Sequence, residues 1–436
     1  MKPIKVGLLG IGTVGAGTFA VLQRNQQEIR RRAGRSIDIT MVADLDTQRA
    51  TKLTGGTVEV VNDANLIVNH PDIDIVIELI GGYGMARELV MKAIANGKHV
   101  VTANKALLAL HGTEIFQAAQ AKGVMVAFEA AVAGGIPIIK ALREGLTANR
   151  IQWIAGIING TTNFILSEMR EKGLDFDTAL KEAQRLGYAE ADPTFDIEGI
   201  DAAHKASIMS AIAFGTPVQF NQAYIEGITQ LRASDIRYAE QLGYRIKLLG
   251  ITRRTDHGIE LRVHPTLIPA NRLIANVEGA MNAVLVQGDA VGATLYYGKG
   301  AGAEPTASAV IADLVDIARL SAADPDHRVP YLAFQPDAMM QTPILPMSEI
   351  VTSYYLRIRV ADKLGVLADI TRILADCSIS VDAMLQKEPD EGETQTDIII
   401  LTHQTQEKNV TAAIVAIENL VTVSGQVTRI RLEHLG

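Results

Sequence analysis

The stretch Ile4-Lys5-Val6-Gly7-Leu8-Leu9-Gly10-Ile11-Gly12-Thr13-Val14-Gly15 decides how the first part of the chain folds. Ile4 to Leu9 is a short apolar run, expected as a buried parallel strand. Gly10 to Gly15 then spell G-x-G-x-x-G directly before a helical segment. The chemistry of that pattern is geometric: Gly10 permits a tight turn, Gly12 lets the backbone approach a pyrophosphate, and Gly15 lets the helix pack on the strand. The helix start offers free N–H groups and partial positive charge to the phosphates. Alone the hexapeptide is weak; between a strand and a helix it predicts a dinucleotide-binding fold.

Working outward, Ile37 to Val42 reads as the next strand and ends in Ala43-Asp44. An acid at that position usually takes a ribose hydroxyl, so Asp44 is the candidate. It lies further from the glycines than the usual spacing of about 20 residues, which the basic extension Arg30 to Arg35 accounts for. A bare acid favours NAD, while Arg49 and Lys52 nearby leave NADP open. Strand and helix continue to alternate: Ile73 to Leu79, a helix from Met85 to Ala95, Val100 to Thr102, a helix from Lys105, and Val124 to Phe128. That rhythm predicts a doubly wound α/β (Rossmann) sheet with ligand at the carboxyl ends of its strands. Those ends read Ile80-Gly81-Gly82, Thr102-Ala-Asn-Lys105 and Glu129-Ala-Ala-Val-Ala-Gly-Gly-Ile-Pro137. Lys105 falls at a helix start, where a cation is misplaced unless an anion or a substrate group is near.

A second informative stretch runs from Gly187 to Lys205, with carboxylates at Glu190, Asp192, Asp196, Glu198 and Asp201 ahead of one lysine. Pro193 and Gly199 break its first part into loop, and Ile200 to Phe214 reads as a helix. Asp201 and Lys205 therefore fall at i and i+4 on one face. A lysine in a partly dry pocket, oriented by a carboxylate, suits a proton shuttle. A solvated loop with an ordinary surface ion pair would use the same spacing.

Between and beyond these stretches, Ile151 to Ile158 reads as a strand, Gly160-Thr-Thr-Asn163 as a helix start and Leu166 to Gly187 as one amphipathic helix with its turn. Leu248 to Ile251, Ile259 to Val263, Ala283 to Gln287 and Thr294 to Gly298 read as strands of a second, mixed sheet. Gly298 to Glu304 is too flexible for a strand and precedes a helix, Thr306 to Ala318. Pro325 to Pro346 holds five of the chain's 14 prolines and reads as a linker. The C-terminal part spells βαββαβ, a ferredoxin-like unit. The expected organisation is 1–136 dinucleotide-binding with a return segment 305–325, 137–304 as an α+β catalytic and dimerisation part, 325–350 as linker, and 351–436 as the last domain.

Composition bounds the function. At 436 residues, 48% hydrophobic and 21% charged, the chain is an ordinary globular protein of two to four domains. A net charge of -8 argues against nucleic acid as a partner. The single cysteine, Cys377, excludes an intrachain disulfide and a cysteine zinc site. Glycines interrupt the uncharged N-terminal run, and no other uncharged stretch is long enough to span a bilayer, so no membrane association and a cytoplasmic location are expected.

Taken together, the glycine turn, Thr102-Ala-Asn-Lys105, Glu129 to Pro137, the acidic block from Gly187-Tyr-Ala-Glu-Ala-Asp-Pro to Asp201 and Lys205, and Gly300-Ala-Gly302 closely resemble homoserine dehydrogenase along the whole chain. Asp362-Lys-Leu-Gly-Val-Leu367 in the C-terminal unit resembles an ACT domain, a module that commonly binds an amino acid at a dimer interface. The resemblance is to the monofunctional, ACT-bearing branch, in which no aspartate-kinase domain comes first. It implies reversible interconversion of L-homoserine and L-aspartate 4-semialdehyde with NAD or NADP, in threonine, isoleucine and methionine biosynthesis. It further implies Lys205 as the proton-transfer group with Lys105 sharing the relay, Glu190 and Asp201 holding the substrate, and Gly187 and Gly302 lining the cofactor by backbone. Gly10, Gly12, Thr13, Val14, Gly15, Asp44, Thr102 and Lys105 would complete the cofactor site. Glu129, Val132, Gly134 and Ile136 would cradle a monovalent cation, sodium or potassium, mostly through carbonyls. Threonine is the implied effector, acting near Gly365 and Ile379, and a homo-oligomer, dimer or tetramer, is implied by the pairing of ACT units. Many relatives carry arginine where this chain has Ala43, which leaves NAD and NADP both open. An aspartate-semialdehyde dehydrogenase would need a cysteine nucleophile, and Cys377 lies in the wrong module. A purely regulatory dinucleotide-binding sensor would leave Lys205 without a task.

Overall fold

The computed structural model describes residues 2–387 and 392–436. Two compact units divide the chain: one comprises the chain up to Gly160 with Asp201–Ala223 and Ala280–Thr342, the other Thr161–Ile200, Tyr224–Gly279 and Pro343–Gly436.

In the first unit six parallel strands, β1 (Ile4–Leu9), β2 (Ile37–Ala43), β3 (Glu59–Val61), β4 (Ile75–Glu78), β5 (His99–Thr102) and β6 (Val126–Ala127), lie in the order β3-β2-β1-β4-β5-β6. The order reverses between β1 and β4, the crevice where a doubly wound sheet takes its ligand. β1 and β4 are apolar nearly throughout because both faces of a parallel sheet are covered by helices. The extra length before Asp44 is a helix of its own, Gln26–Ala33, closed by the left-handed Gly34. β3 was not anticipated; only three half-buried or exposed residues form it, too few to show a period.

Helix Ala303–Leu320 brings the chain back to this sheet, and Val310, Leu314 and Ile317 share one core with Val6, Leu8, Ile75 and Ile77. Its first residue packs directly on helix Thr13–Arg24: a methyl group on Gly17 would lie 2.4 Å from the Ala303 carbonyl oxygen. The same unit holds three antiparallel strands, Ile151–Ile157, Met281–Gly288 and Gly292–Lys299, with Met281–Gly288 in the middle. The proline-rich stretch is anchored to the first unit as far as Thr342. Arg328 donates to the carbonyls of Gly123, Ser321 and Ala323, the Tyr331 hydroxyl donates to Val124, and Met340 N–H to Gly215.

The second unit contains the βαββαβ array: strands Val351–Ala361, Val381–Gln386, Gln395–Thr402 and Thr428–Leu432 with helices Val366–Asp376 and Glu407–Glu418. The array is not a detached module. Thr428–Leu432 pairs antiparallel with Val351–Ala361 on one side and parallel with Ile259–Pro269 on the other. Ile259–Pro269 in turn forms an antiparallel hairpin with Tyr244–Arg254, each strand 11 residues long. The sequence pattern had suggested much shorter strands, Leu248 to Ile251 and Ile259 to Val263. Lys247 lies in a part that the pattern missed, and it is buried against Glu278 instead of facing water.

The single helix expected over Leu166 to Gly187 is two, Gly160–Lys172 and Phe176–Arg185. Gly173 turns left-handed at φ 66°, and the Asp175 carboxylate caps the second helix through Thr178 N–H. Apolar periodicity runs across the break, which is why it reads as continuous. Helix Ala233–Gln241 was also not anticipated.

Gly17 gives a direct test of the helix contact. Replacing a helical glycine by alanine ordinarily stabilises by about 0.5–1 kcal/mol. Here the methyl would overlap backbone, so Gly17→Ala is expected to destabilise by about 1–3 kcal/mol, read as a lower urea midpoint at unchanged slope. A higher midpoint would show that the two helices are not in the described contact.

Candidate active site

The glycine turn follows β1 with Gly10 left-handed at φ 86°. A methyl on Gly15 would lie 2.2 Å from the Gly10 carbonyl oxygen, so only glycine lets the helix start so close to the turn. At Gly12 the same construction meets no atom within 4 Å: the space above the turn is open, as a bound phosphate requires. Thr13 is exposed at the first turn of helix Thr13–Arg24, with Val14 half-buried beside it. Asp44 reaches back to the turn, one oxygen accepting Ile11 N–H at 2.8 Å and the other Asp46 N–H at 3.0 Å. The acid thus braces the glycine loop from the end of the second strand.

At the ends of β4 and β5 a buried carboxylate organises the next segment. Glu78 accepts the Thr102 hydroxyl at 2.7 Å and the N–H groups of Ile80 and Gly81. Burial raises its pKa against the opposing effect of these donors. The Thr102 oxygen in turn accepts Asn104 N–H, and Asn104 caps helix Lys105–Lys122 through Leu107 N–H. This chain of bonds fixes Lys105 at the first position of its helix. Glu78 was not singled out in the sequence because one acid inside an apolar strand gives no pattern.

Lys105 and Lys205 meet on one carboxylate. Asp201 Oδ1 lies 3.2 Å from Lys105 Nζ, and Oδ2 accepts from Lys205 Nζ at 2.6 Å and from Asn159 Nδ2 at 2.9 Å. Lys205 Nζ also donates to the Ile158 carbonyl at 2.7 Å. Burial alone would raise the Asp201 pKa, but the charges of Lys205 and Lys105 outweigh it and hold the carboxyl well below its usual range. The group is therefore ionised at neutral pH. His204, next to Asp201, is pushed down to about 4 by burial and by both lysines, so it is neutral there. The i,i+4 pair expected from the sequence exists and is buried; its connection to Lys105 and to the strand end Ile158-Asn159 joins residues far apart in the chain. Asn159-Gly160 after a strand was the available signal for the amide.

The loop after β6 carries the residues proposed for a cation. The Glu129 side chain does not face an open site: it accepts N–H groups of Ile139 at 2.9 Å and Lys140 at 2.8 Å, acting as a cap for the turn that begins at Ile138. Burial raises its pKa against those donors. Asp313 accepts Glu129 N–H, and burial beside the Glu129 charge pushes Asp313 up to about 7. Val132 and Ile136 are buried, and Gly134 is left-handed at φ 49° with the Gly300 carbonyl in the place of a side chain. Gly302 caps helix Ala303–Leu320 with φ 130°. Among the described residues no group of three or more His, Cys, Asp or Glu could hold a metal ion. A cation here would depend on carbonyl oxygens, which suits a weakly held monovalent ion.

Gly187 and Glu190 belong to the second unit, where both are exposed. Their loop is tied down by Thr161, whose hydroxyl donates to the Tyr188 carbonyl at 2.7 Å, and by ring contact of Phe164 with Tyr188 at 4.7 Å. Within the acidic stretch, Asp192 accepts Thr194 N–H locally, while Asp201 pairs with Lys205.

Three comparisons bear on this arrangement. Residues 10–129 match the model of the homoserine dehydrogenase NAD-binding domain, 137–315 that of homoserine dehydrogenase, and 354–419 that of the ACT domain. The chain is 60% identical to the homoserine dehydrogenase of Pseudomonas aeruginosa, covering 100% of both. It superposes on the crystal structure of a homoserine dehydrogenase from Thiobacillus denitrificans with TM-score 0.96 at 71% identity, covering 100% of this chain and 99% of that one. A hyperthermophilic archaeal homoserine dehydrogenase in complex with NADPH matches at TM-score 0.63 and 27% identity, over 74% of this chain and 99% of its own. No described helix is long and apolar enough to cross a membrane. Matched by three family models and, over its whole length, by a relative 60% identical to it, the chain belongs to the homoserine dehydrogenase family of NAD(P)-dependent oxidoreductases and carries an ACT domain.

Proposed function

We propose that the site interconverts L-homoserine and L-aspartate 4-semialdehyde by proton transfer through Lys205. The observation that carries this reading is the bridge of Lys205 and Lys105 through the buried Asp201. A nicotinamide cofactor held by the glycine turn would supply the hydride acceptor for the alcohol carbon and, in reverse, the hydride donor for the aldehyde. The alcohol proton must leave as that carbon–hydrogen bond breaks, because the hydroxyl is a very weak acid. Lys205 takes it as the free amine and returns it as the ammonium in the reverse direction. Asp201, gripped by both lysines and Asn159, sets the direction of the two amines and offers a path for charge between them. Its Oδ1 is shared with Lys105, so any contact with the substrate hydroxyl is made alongside that amine. Glu190, exposed on the acidic loop, would receive the substrate ammonium.

The open space at Gly12 and the helix start behind it support diphosphate binding by Gly10 to Gly15, and Thr102 and Gly302 would contribute backbone. Asp44 suits a ribose hydroxyl, and Ala43 beside it offers no cation to a 2′-phosphate. We place sodium or potassium at the carbonyls of Glu129, Val132, Gly134 and Ile136. We also assign threonine as effector at the left-handed turn Gly365 and at Ile379, and a homo-oligomer built through the ACT unit.

Lys205→Ala is expected to lower kcat by about 10²–10⁴-fold in a homoserine-dependent nicotinamide assay, with cofactor binding by fluorescence retained; near-normal turnover would remove Lys205 from the mechanism. After dialysis into tetramethylammonium salt, sodium or potassium at equal ionic strength should raise turnover. No response to either would empty the proposed cation site. Threonine should inhibit the full-length protein, and Gly365→Val, which strains a turn at φ 89°, should relieve that inhibition while turnover persists. Deleting the chain from Ser348 is a poorer test, since it strips strand Thr428–Leu432 from Ile259–Pro269. A wild type insensitive to millimolar threonine would refute this assignment.

A further inference from the structure

The second unit buries a charge cluster that the proposed reaction does not use. Arg431, on strand Thr428–Leu432, is fully buried, and its guanidinium points two ways. Nε donates to Glu407 Oε2 at 2.9 Å, with Nη2 on the other oxygen, so it grips the start of helix Glu407–Glu418 in the ACT domain. Nη1 donates to Glu226 Oε2 at 2.8 Å, and Nη2 reaches the Tyr224 hydroxyl at 3.0 Å. The Tyr224 hydroxyl also donates to Glu226 at 2.6 Å, and the Tyr354 hydroxyl to Glu407 at 2.8 Å. One planar cation thus joins two carboxylates from distant parts of the chain.

Glu226 leads directly into a close backbone contact with the acidic loop. A methyl on Gly227 would fall 2.3 Å from the Ile197 carbonyl oxygen and 2.5 Å from Glu198 Cα. Ile228 N–H donates to that same Ile197 carbonyl at 2.8 Å. Ile197 to Gly199 is the turn that leads into helix Ile200–Phe214, which carries Asp201 and Lys205. Side-chain bonds and backbone contacts therefore run without a gap from the ACT helix through Arg431, Glu226 and Gly227 to the end of the acidic loop.

We propose that Arg431 is a positioning residue for homoserine: by holding Glu226 it sets the strap Tyr224 to Ile228 against the turn Ile197 to Gly199. Because Glu407 shares the guanidinium, the ACT helix biases the same turn. The proposal rests on the reading that the acidic loop binds homoserine. Arg262 supplies a stringent control: its strand pairs with the strap at Tyr224, yet its guanidinium does not hold Glu226. It is equally buried and its guanidinium is committed to Glu260, Glu433 and His264.

In the full-length protein, Glu226→Gln and Glu407→Gln keep shape and remove one partner each. Both are expected to raise the homoserine KM by about 2- to 30-fold, with cofactor KM unchanged and the double variant little worse than either single. Glu260→Gln should lower Tm and leave the homoserine KM alone. Hydrogen exchange of the 194–200 segment and of Ile228, read without substrate, should quicken in Glu226→Gln and Glu407→Gln but not in Glu260→Gln. An equal KM change in Glu260→Gln, or exchange at 194–200 unaltered in Glu226→Gln, would overturn the proposal. A wild type inactive on homoserine would instead defeat the functional reading, and the exchange comparison would still decide the role of Arg431.

Discussion

One buried carboxylate sharing two ammonium groups is the constraint around which the first unit is arranged. Asp201 is almost out of contact with water, and an isolated carboxylate in such a place would protonate or draw in solvent. Lys205, Lys105 and Asn159 make its charged form the stable one. Each comes from a different element: the helix after the acidic loop, the helix after β5, and the end of strand Ile151–Ile157. Loss of Asp201 would leave the two lysine charges without their shared counter-ion, which costs more than the bonds themselves. The electrostatics that keep this carboxylate ionised therefore also hold these three elements in register.

The glycine turn works by the opposite means, through the absence of side chains. Gly10, Gly15 and Gly17 allow backbone to lie against backbone, and Gly12 leaves a gap that the fold does not fill. Asp44 and Glu78 stiffen this region from two strand ends by accepting backbone N–H groups, so the loops lining the crevice are fixed by the protein's own bonds. Such preorganisation lowers the ordering cost of binding.

In the second unit, buried ion pairs replace the apolar contacts that would normally join two sheets' worth of strands. Arg431 with Glu407 and Glu226, and Arg262 with Glu260 and Glu433, sit along the seam where the ACT strands meet the hairpin Tyr244–Arg254 and Ile259–Pro269. Bidentate guanidinium pairs are directional, so they define the register of that seam as well as stabilising it. This is why the ACT array cannot be cut away at a linker without exposing charge.

The amino-acid order by itself determined the doubly wound fold, the βαββαβ array, the glycine turn and the Asp201–Lys205 pair. In each case the signal is local, a period of apolar residues or a fixed spacing, and local geometry obeys it. The split at Gly173, the long strands around Arg262 and the three-residue β3 were not legible, because burial of paired charges and continuity of an apolar face mislead a reading based on period. Only tertiary structure decided that Lys105 and Asn159 join Asp201, that the Glu129 carboxylate caps a turn, and that Arg431 ties the ACT helix to Glu226. Those contacts unite residues separated by tens to hundreds of positions, and their energy depends on desolvation, which no single stretch of sequence contains.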